Sequence, residues 1–424
     1  MFPNRKKTNK RRRIAAFFKK KGRPFMNRKI SLGLCISLII ISITATFAVT
    51  MVVSKQIYNG IISGISSRSQ TYASLDEISG IINAYYYGSD EKSNRLNASL
   101  VNGYVESLGD PNSIYLSASD YSEYTSMLDG GLTGIGVDTA YDYQKSSFVI
   151  THVYEGSPAE KAGLKALDVI TAIDNQTVTM ANYVQLSEKL YGSMLSAVQI
   201  EYMRNAETKV VEPMRGFSIP SVSGRLESNV GYIKINGFYK NTASEFKETA
   251  EKLIEQGAES MIFDVRNTYS GTIEYAAQVI DVIVPAIDGN IAAIKDKTGE
   301  IKKVYPAEYY SITMPFAVLV NGSTSGPAEL FACDLRDISQ AQIIGTRTAG
   351  VGTVQELFTL EDGGAVLLTI AVVEPKAGEA AVYNGKGIEP TVEVNLAAGY
   401  TANLSLLTAE EDTQLATALN MLAA

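Results

Sequence analysis

The chain has 424 residues, 46% hydrophobic and 20% charged, which is enough for two or three globular domains with cores of their own and unlike a disordered or fibrous sequence. Its net charge of −7 conceals a division: thirteen of the 38 Lys/Arg lie in residues 1–29, where there is no acid, so the remainder carries 25 against 45 Asp/Glu, about −20. The two cysteines, Cys35 and Cys333, imply neither a disulfide framework nor a zinc site, and the lone histidine, His152, excludes a HExxH metal site and argues against a Ser-His-Asp triad.

Residues 1–29 are read as a basic cytoplasmic tail and residues 30–53, Ile30 to Val53, as a transmembrane signal anchor. The latter run is 24 residues without a charge; at ~1.5 Å per residue it spans a ~30 Å hydrocarbon core. A cleaved signal peptide is the rival, with Thr46 and Ala48 as a passable cleavage site, but the apolar run continues beyond them. The positive-inside rule then places everything after Val53 outside, in a bacterial cell envelope, as a single-pass protein. The basic tail is read as a topology signal rather than a nucleic-acid patch, because a membrane span follows directly.

Residues 54–128 have helical periodicity and are read as a stalk whose apolar faces suit pairing with a second copy. From 129 to 216 short strands and turns take over: "GLTGIGVDTAY", then "GSPAEKAGL" and "DVI". From 217 to 400 strands and helices alternate, as in "GYIKINGF", "SMIFDVRN", "TIEYAAQVIDVIV" and "FAVLVNG", which predicts a layered α/β core, and 401–424 reads as a helix. Within that core "VLVNGSTSGPAELFACDLRD" has the strand, small-residue loop and helix by which many hydrolases present a nucleophile.

The Gly-rich loop followed by Gly-Ser-Pro-Ala-Glu-Lys-Ala-Gly-Leu resembles a PDZ domain, in which backbone N–H groups take a peptide's terminal carboxylate and the peptide adds a strand to the sheet edge. The resemblance assigns peptide binding to Leu132, Gly134, Ile135, Gly136 and Val137; where the family has Gly before the Asp, this chain has Leu167-Asp168. With "GDPNSIYL" before the PDZ unit and "FDVRN", "TVQ", "LLTIA" and "GKGIEP" after it, residues 72–397 resemble the carboxyl-terminal processing peptidases, or tail-specific proteases. The expected fold class is therefore α+β multidomain: membrane helix and stalk, PDZ-like β-rich domain, and layered α/β tail-specific-protease core.

The resemblance implies a serine endopeptidase with a Ser-Lys pair, a glutamine holding the lysine, no cofactor and no metal. A buried lysine of lowered pKa can take a serine proton, and backbone N–H groups hold the oxyanion. The family's N-x-G-T-A-S-A-S-E falls without a gap on Asn321 to Glu329, placing the catalytic serine on Gly326. Its F-G-K-G-x-x-Q falls on Ala349 to Gln355, placing the lysine on Val351 and the glutamine on Gln355. Its D-L-R-N-N-P-G-G, the oxyanion region, falls on Asp264 to Gly271, with Tyr269 and Ser270 in place of Pro and the first Gly. Both reacting groups are missing. The leading expectation is thus a pseudoprotease that binds C-terminal peptides and scaffolds or regulates an active protease. The alternative is an active enzyme using Ser325 as nucleophile with a non-standard base, although no Lys or His occurs from Gly326 to Pro375. Cys333 is read as a small core residue rather than a thiol nucleophile.

Overall fold

The computed structural model describes residues 32–87, 93–130, 133–142, 145–192, 194–285, 290–308, 312–378, 382–397, 404, 407–408 and 410–423. The chain forms two compact units, Met1–Lys92 and Ser93–Ala424.

The described part of the first unit is one 54-residue helix, α1 (Leu32–Tyr85). It contains a stretch, Ile36–Gln56, of mean hydropathy 2.4 that is long and apolar enough to cross a membrane. Ser37 and Thr44 donate to the carbonyls of Gly33 and Ile40, so these hydroxyls are satisfied within the helix.

The second unit opens with α2 (Ser93–Glu106), β1 (Ile114–Leu116) and α3 (Ala118–Gly130). Helical periodicity extends over this stretch in the sequence, yet Ile-Tyr-Leu after the "GDPNS" turn forms a strand, because it pairs antiparallel with a core strand from Ala365 to Leu367.

A β-rich domain follows: β2 (Thr133–Gly134), β3 (Val137–Asp142), β4 (Ser147–Val153), α4 (Pro158–Lys161), β5 (Val169–Ile173), β6 (Gln176–Thr177), α5 (Tyr183–Glu188), β7 (Ile200–Arg204) and β8 (Glu207–Val211). Its sheet runs β3-β4-β5-β7-β8 with β6 on β5, and Ile135, Phe148, Ile150, Ile170, Leu186 and Ile200 fill its core. The turn into β5 is pinned by Arg204, whose guanidinium donates twice to the buried Asp168 carboxylate at 2.5 Å.

The remaining elements are β9 (Phe217–Ser218), β10 (Val222–Glu227), β11 (Val230–Ile235), α6 (Thr242–Glu255), β12 (Ser260–Asp264), α7 (Ile273–Ile283), β13 (Asn290–Asp296), β14 (Ile301–Pro306), β15 (Phe316–Val320), α8 (Pro327–Ser339), β16 (Gln342–Gly345), β17 (Thr353–Thr359), β18 (Ala365–Pro375), β19 (Val392–Glu393) and α9 (Thr413–Leu422). A six-stranded sheet runs β10-β11-β12-β15-β16-β19, parallel from β11 onward. Alternation along its strands makes two faces. Ile233, Phe263, Val318 and Ile343 meet Phe246, Ile280 and Phe331 of the helices, while Tyr232, Ile262, Leu319 and Ile344 meet Leu415 and Ala418 of α9. A second, antiparallel sheet, β1-β18-β13-β14 with β17 on β18, carries the residues that face the start of α8. The helix at the chain's end covers only Thr413–Leu422, starting where the Asp412 carboxylate caps it by accepting from the Leu415 N–H.

Candidate functional site

The site forms where β15 ends and α8 begins. The connecting loop is laced to the loop after β12: Thr324 Oγ1 donates to the Val265 carbonyl at 2.8 Å, Ser325 N to the Thr268 carbonyl at 3.0 Å, and Asn321 Nδ2 to Asn267 Oδ1 at 2.8 Å. Pro327 at the first helical turn permits the abrupt start, since it has no N–H to satisfy. Gly326, just before it, has φ 60° and ψ −114°, a conformation open to glycine and strained for any other residue. That is the backbone of a nucleophile at a sharp strand-to-helix turn. A Cβ built there meets nothing nearer than the Val351 carbonyl oxygen at 3.9 Å.

Val351 is held opposite by one buried carboxylate. Glu329, in the first turn of α8, accepts from the Gly326 N–H at 3.0 Å, from the Gly350 and Val351 N–H groups at 2.7 Å each, and from the Thr348 hydroxyl. Tyr383, fully enclosed, donates to the Gly326 carbonyl at 3.3 Å. Sequence reading passed over both residues; a glutamate inside the apolar run "PAELFAC" was the available signal.

Around this pair lies a cleft of about 430 Å³ lined by Ser325, Gly326, Val351, Gln355 and Gly271 among others, so the structure brings together all five residues expected from the sequence in this region. Gln355, on β17, donates through Nε2 to Thr353 Oγ1 at 2.8 Å and Thr369 Oγ1 at 3.1 Å. Gly271 has φ 111°, and a Cβ there would fall 2.0 Å from the Phe238 carbonyl oxygen, so no other residue fits. No Lys or His lines the cleft among the described residues.

A basic group that sequence reading missed, outside the cleft lining, is Lys234 on β11. Its ammonium donates to the Arg266 carbonyl at 2.6 Å and to Thr268 Oγ1 at 3.1 Å. Burial pushes its pKa down to about 8, with Arg266 adding and Asp264 opposing. Thr268 is itself fully buried, so this pair ties the loop to the sheet. Cys333 is fully buried in α8, and burial first, then Asp337 and Asp334, push its thiol pKa up, which makes it inert. His152 stands exposed on β4 and does not line the cleft. Among the described residues, no cluster of three His, Cys, Asp or Glu could hold a metal.

In the β-rich domain, Leu132 lies outside the described residues. Gly134 accepts from the Gly216 N–H at 3.1 Å and Gly136 from the Tyr154 N–H at 3.1 Å. Ile135 and Val137 have side chains enclosed in the domain's own core, and the Ile135 N–H donates to the Leu190 carbonyl at 3.2 Å while its carbonyl accepts from the Ala159 N–H at 2.9 Å, so neither side chain lines a peptide pocket as the resemblance implied. Val137 begins β3, an edge strand, and Tyr183 at the start of α5 stacks on Tyr141 of β3 at 4.3 Å. An edge strand beside a helix is the geometry of peptide addition.

Fold and site together define a PDZ-like domain joined to a core with the architecture of a serine peptidase. Residues 229–394 match Peptidase family S41 and residues 149–193 match the PDZ domain. The chain is 27% identical over 363 residues to a probable CtpA-like serine protease of Staphylococcus aureus strain N315, covering 84% of this chain and 72% of that one. A counterpart in Staphylococcus haemolyticus is 27% identical over 365 residues, 85% and 71% of the two chains. Among solved structures, an S41-family protein of Bacteroides fragilis shares the fold at 18% identity and TM-score 0.54, covering 80% of this chain and 91% of that one. A photosystem II D1 C-terminal processing protease matches at 26% identity and TM-score 0.45, covering 74% and 86%. The chain thus resembles the carboxyl-terminal processing peptidases, with its match to Peptidase family S41 over residues 229–394 and to the PDZ domain over 149–193.

Proposed function

We propose that the protein is a membrane-anchored pseudoprotease, with its bulk outside the membrane of a bacterial cell, that binds C-terminal peptides and scaffolds or regulates proteolysis. The observation that carries this reading is Gly326: it has the backbone of a nucleophile elbow and lies beside Val351, and neither position has a hydroxyl or an ammonium. The open edge of β3 supports peptide capture, and the apolar helix after a basic run supports anchoring. A second copy or an active relative is the partner this role calls for; neither a cofactor nor nucleic acid enters it.

The test is turnover of casein and of a C-terminal peptide by the detergent-solubilised full chain, beside Ser325→Ala and Gly326→Ser/Val351→Lys. Loss of such paired groups costs about 10⁴ to 10⁶ in rate, so the unmodified protein is expected to be silent and the double variant to gain turnover. Turnover by the unmodified protein that vanishes in Ser325→Ala would reverse the conclusion and make Ser325, which lines the cleft, the nucleophile.

A further inference from the structure

We propose that the cleft beside Gly326 seats a lysine or arginine side chain of the bound peptide; this rests on the peptide-binding reading above and specifies its ligand. Four tyrosines line the cleft, Tyr124, Tyr269, Tyr275 and Tyr305, together with a single charged residue, Glu274. Aromatic rings beside a carboxylate can form a cation receptor, since the ring quadrupole and the carboxylate both attract positive charge.

The rim already shows this chemistry. Lys303 places its ammonium 2.6 Å from Glu274 Oε2 and 5.0 Å from the Tyr305 ring centre. Both charged side chains of that pair are about half exposed, so the pair is weak and a ligand cation can share or take over the carboxylate. Gln355 also lines the cleft; the Thr353 and Thr369 hydroxyls occupy its amide nitrogen, and no donor among the described residues meets its Oε1. That oxygen is a further acceptor for an incoming ammonium or guanidinium. Charge at long range acts in the same sense, because the chain beyond residue 29 carries about −20 and attracts basic peptides.

The measurement is fluorescence anisotropy of labelled octapeptides on the full chain in detergent. The peptides carry a C-terminal amide, which removes the carboxylate a PDZ loop would hold, and differ at one position: Lys, Arg or norleucine. The Lys and Arg peptides are expected to bind about tenfold more tightly than the norleucine peptide, with the advantage shrinking as salt rises. Glu274→Gln and Tyr269→Ala, each checked by thermal melting, are expected to remove most of it. Equal affinity for Lys and norleucine peptides on the unmodified protein overturns the proposal even if a variant fails to fold. A free-carboxylate peptide without basic residues, run in parallel, separates the two levels. If it binds while the basic advantage is absent, only the cleft assignment falls; if it too fails to bind, peptide capture itself falls.

Discussion

Glu329 shows how a single buried group can hold the backbone on both sides of the candidate site. It accepts the N–H groups of Gly326, Gly350 and Val351, and so fixes the positions assigned to nucleophile and base at once. Removing the acceptor strands the buried Gly326 and Gly350 N–H groups and Thr348 hydroxyl and the half-buried Val351 N–H, a loss of about 1–3 kcal/mol for each group that water does not reach. Glu329→Ala is therefore expected to lose about 3 kcal/mol of stability in chemical denaturation, far above a typical exposed substitution; a loss under 1 kcal/mol would mean water replaces the carboxylate. In the sequence this residue was visible only as a motif letter. Burial and hydrogen-bond partners are properties of two segments meeting, 326–329 and 348–351, and no local pattern announces them.

At the scale of elements, the turn before β5 illustrates a sequence departure that the fold absorbs. Where the PDZ pattern has Gly, Leu167 stands at φ 71° with 78% of its surface exposed. A left-handed residue with a Cβ is strained by roughly 1–2 kcal/mol, and an exposed leucine returns little through packing. Leu167→Gly is expected to raise the melting temperature of the β-rich domain, read by calorimetry; a lowered one would show that the leucine side chain is held by its neighbours. The missing glycine was legible in the sequence, and so was the strand–loop–helix leading to Gly326, because turn residues and apolar runs are local signals. The strand Ile114–Leu116 was not legible, since its only support is pairing with β18, some 250 residues further along the chain.

Across the whole second unit, the sheet and the last helix are joined through Arg266. Its guanidinium is buried and donates to Asp264, Asp412 and Gln414, which links the end of β12 to the cap of α9. Burial pushes the Asp264 carboxyl up, but the Arg266 and Lys234 charges and the hydrogen bonds from Arg266 and Tyr232 outweigh it and hold it at about 2, below the ordinary 3.8. A carboxylate depressed in the folded state adds stability above its ordinary pKa and withdraws it as pH falls through the folded value. Melting temperature is thus expected to drop between about pH 4 and pH 2. Asp264→Asn should already be less stable at neutral pH by about 3 kcal/mol, because it weakens a buried ion pair, and should show less of that acid dependence. An unchanged acid profile in the variant would assign the effect elsewhere. Family, layered core and PDZ domain were all readable from motif order; the arginine network was not, since "DVRN" and "EEDTQ" lie about 145 residues apart.

The φ of 60° at Gly326 has an evolutionary consequence. A serine nucleophile in that conformation carries backbone strain of about 1–3 kcal/mol, which a working enzyme retains because selection on turnover outweighs it. On the pseudoprotease reading proposed above, glycine in place of serine releases the strain, so the change that removes chemistry also relaxes the fold. Reversion would have to restore strain and a buried lysine together before any turnover returned. On that reading, drift away from catalysis on this scaffold runs downhill and behaves as a ratchet.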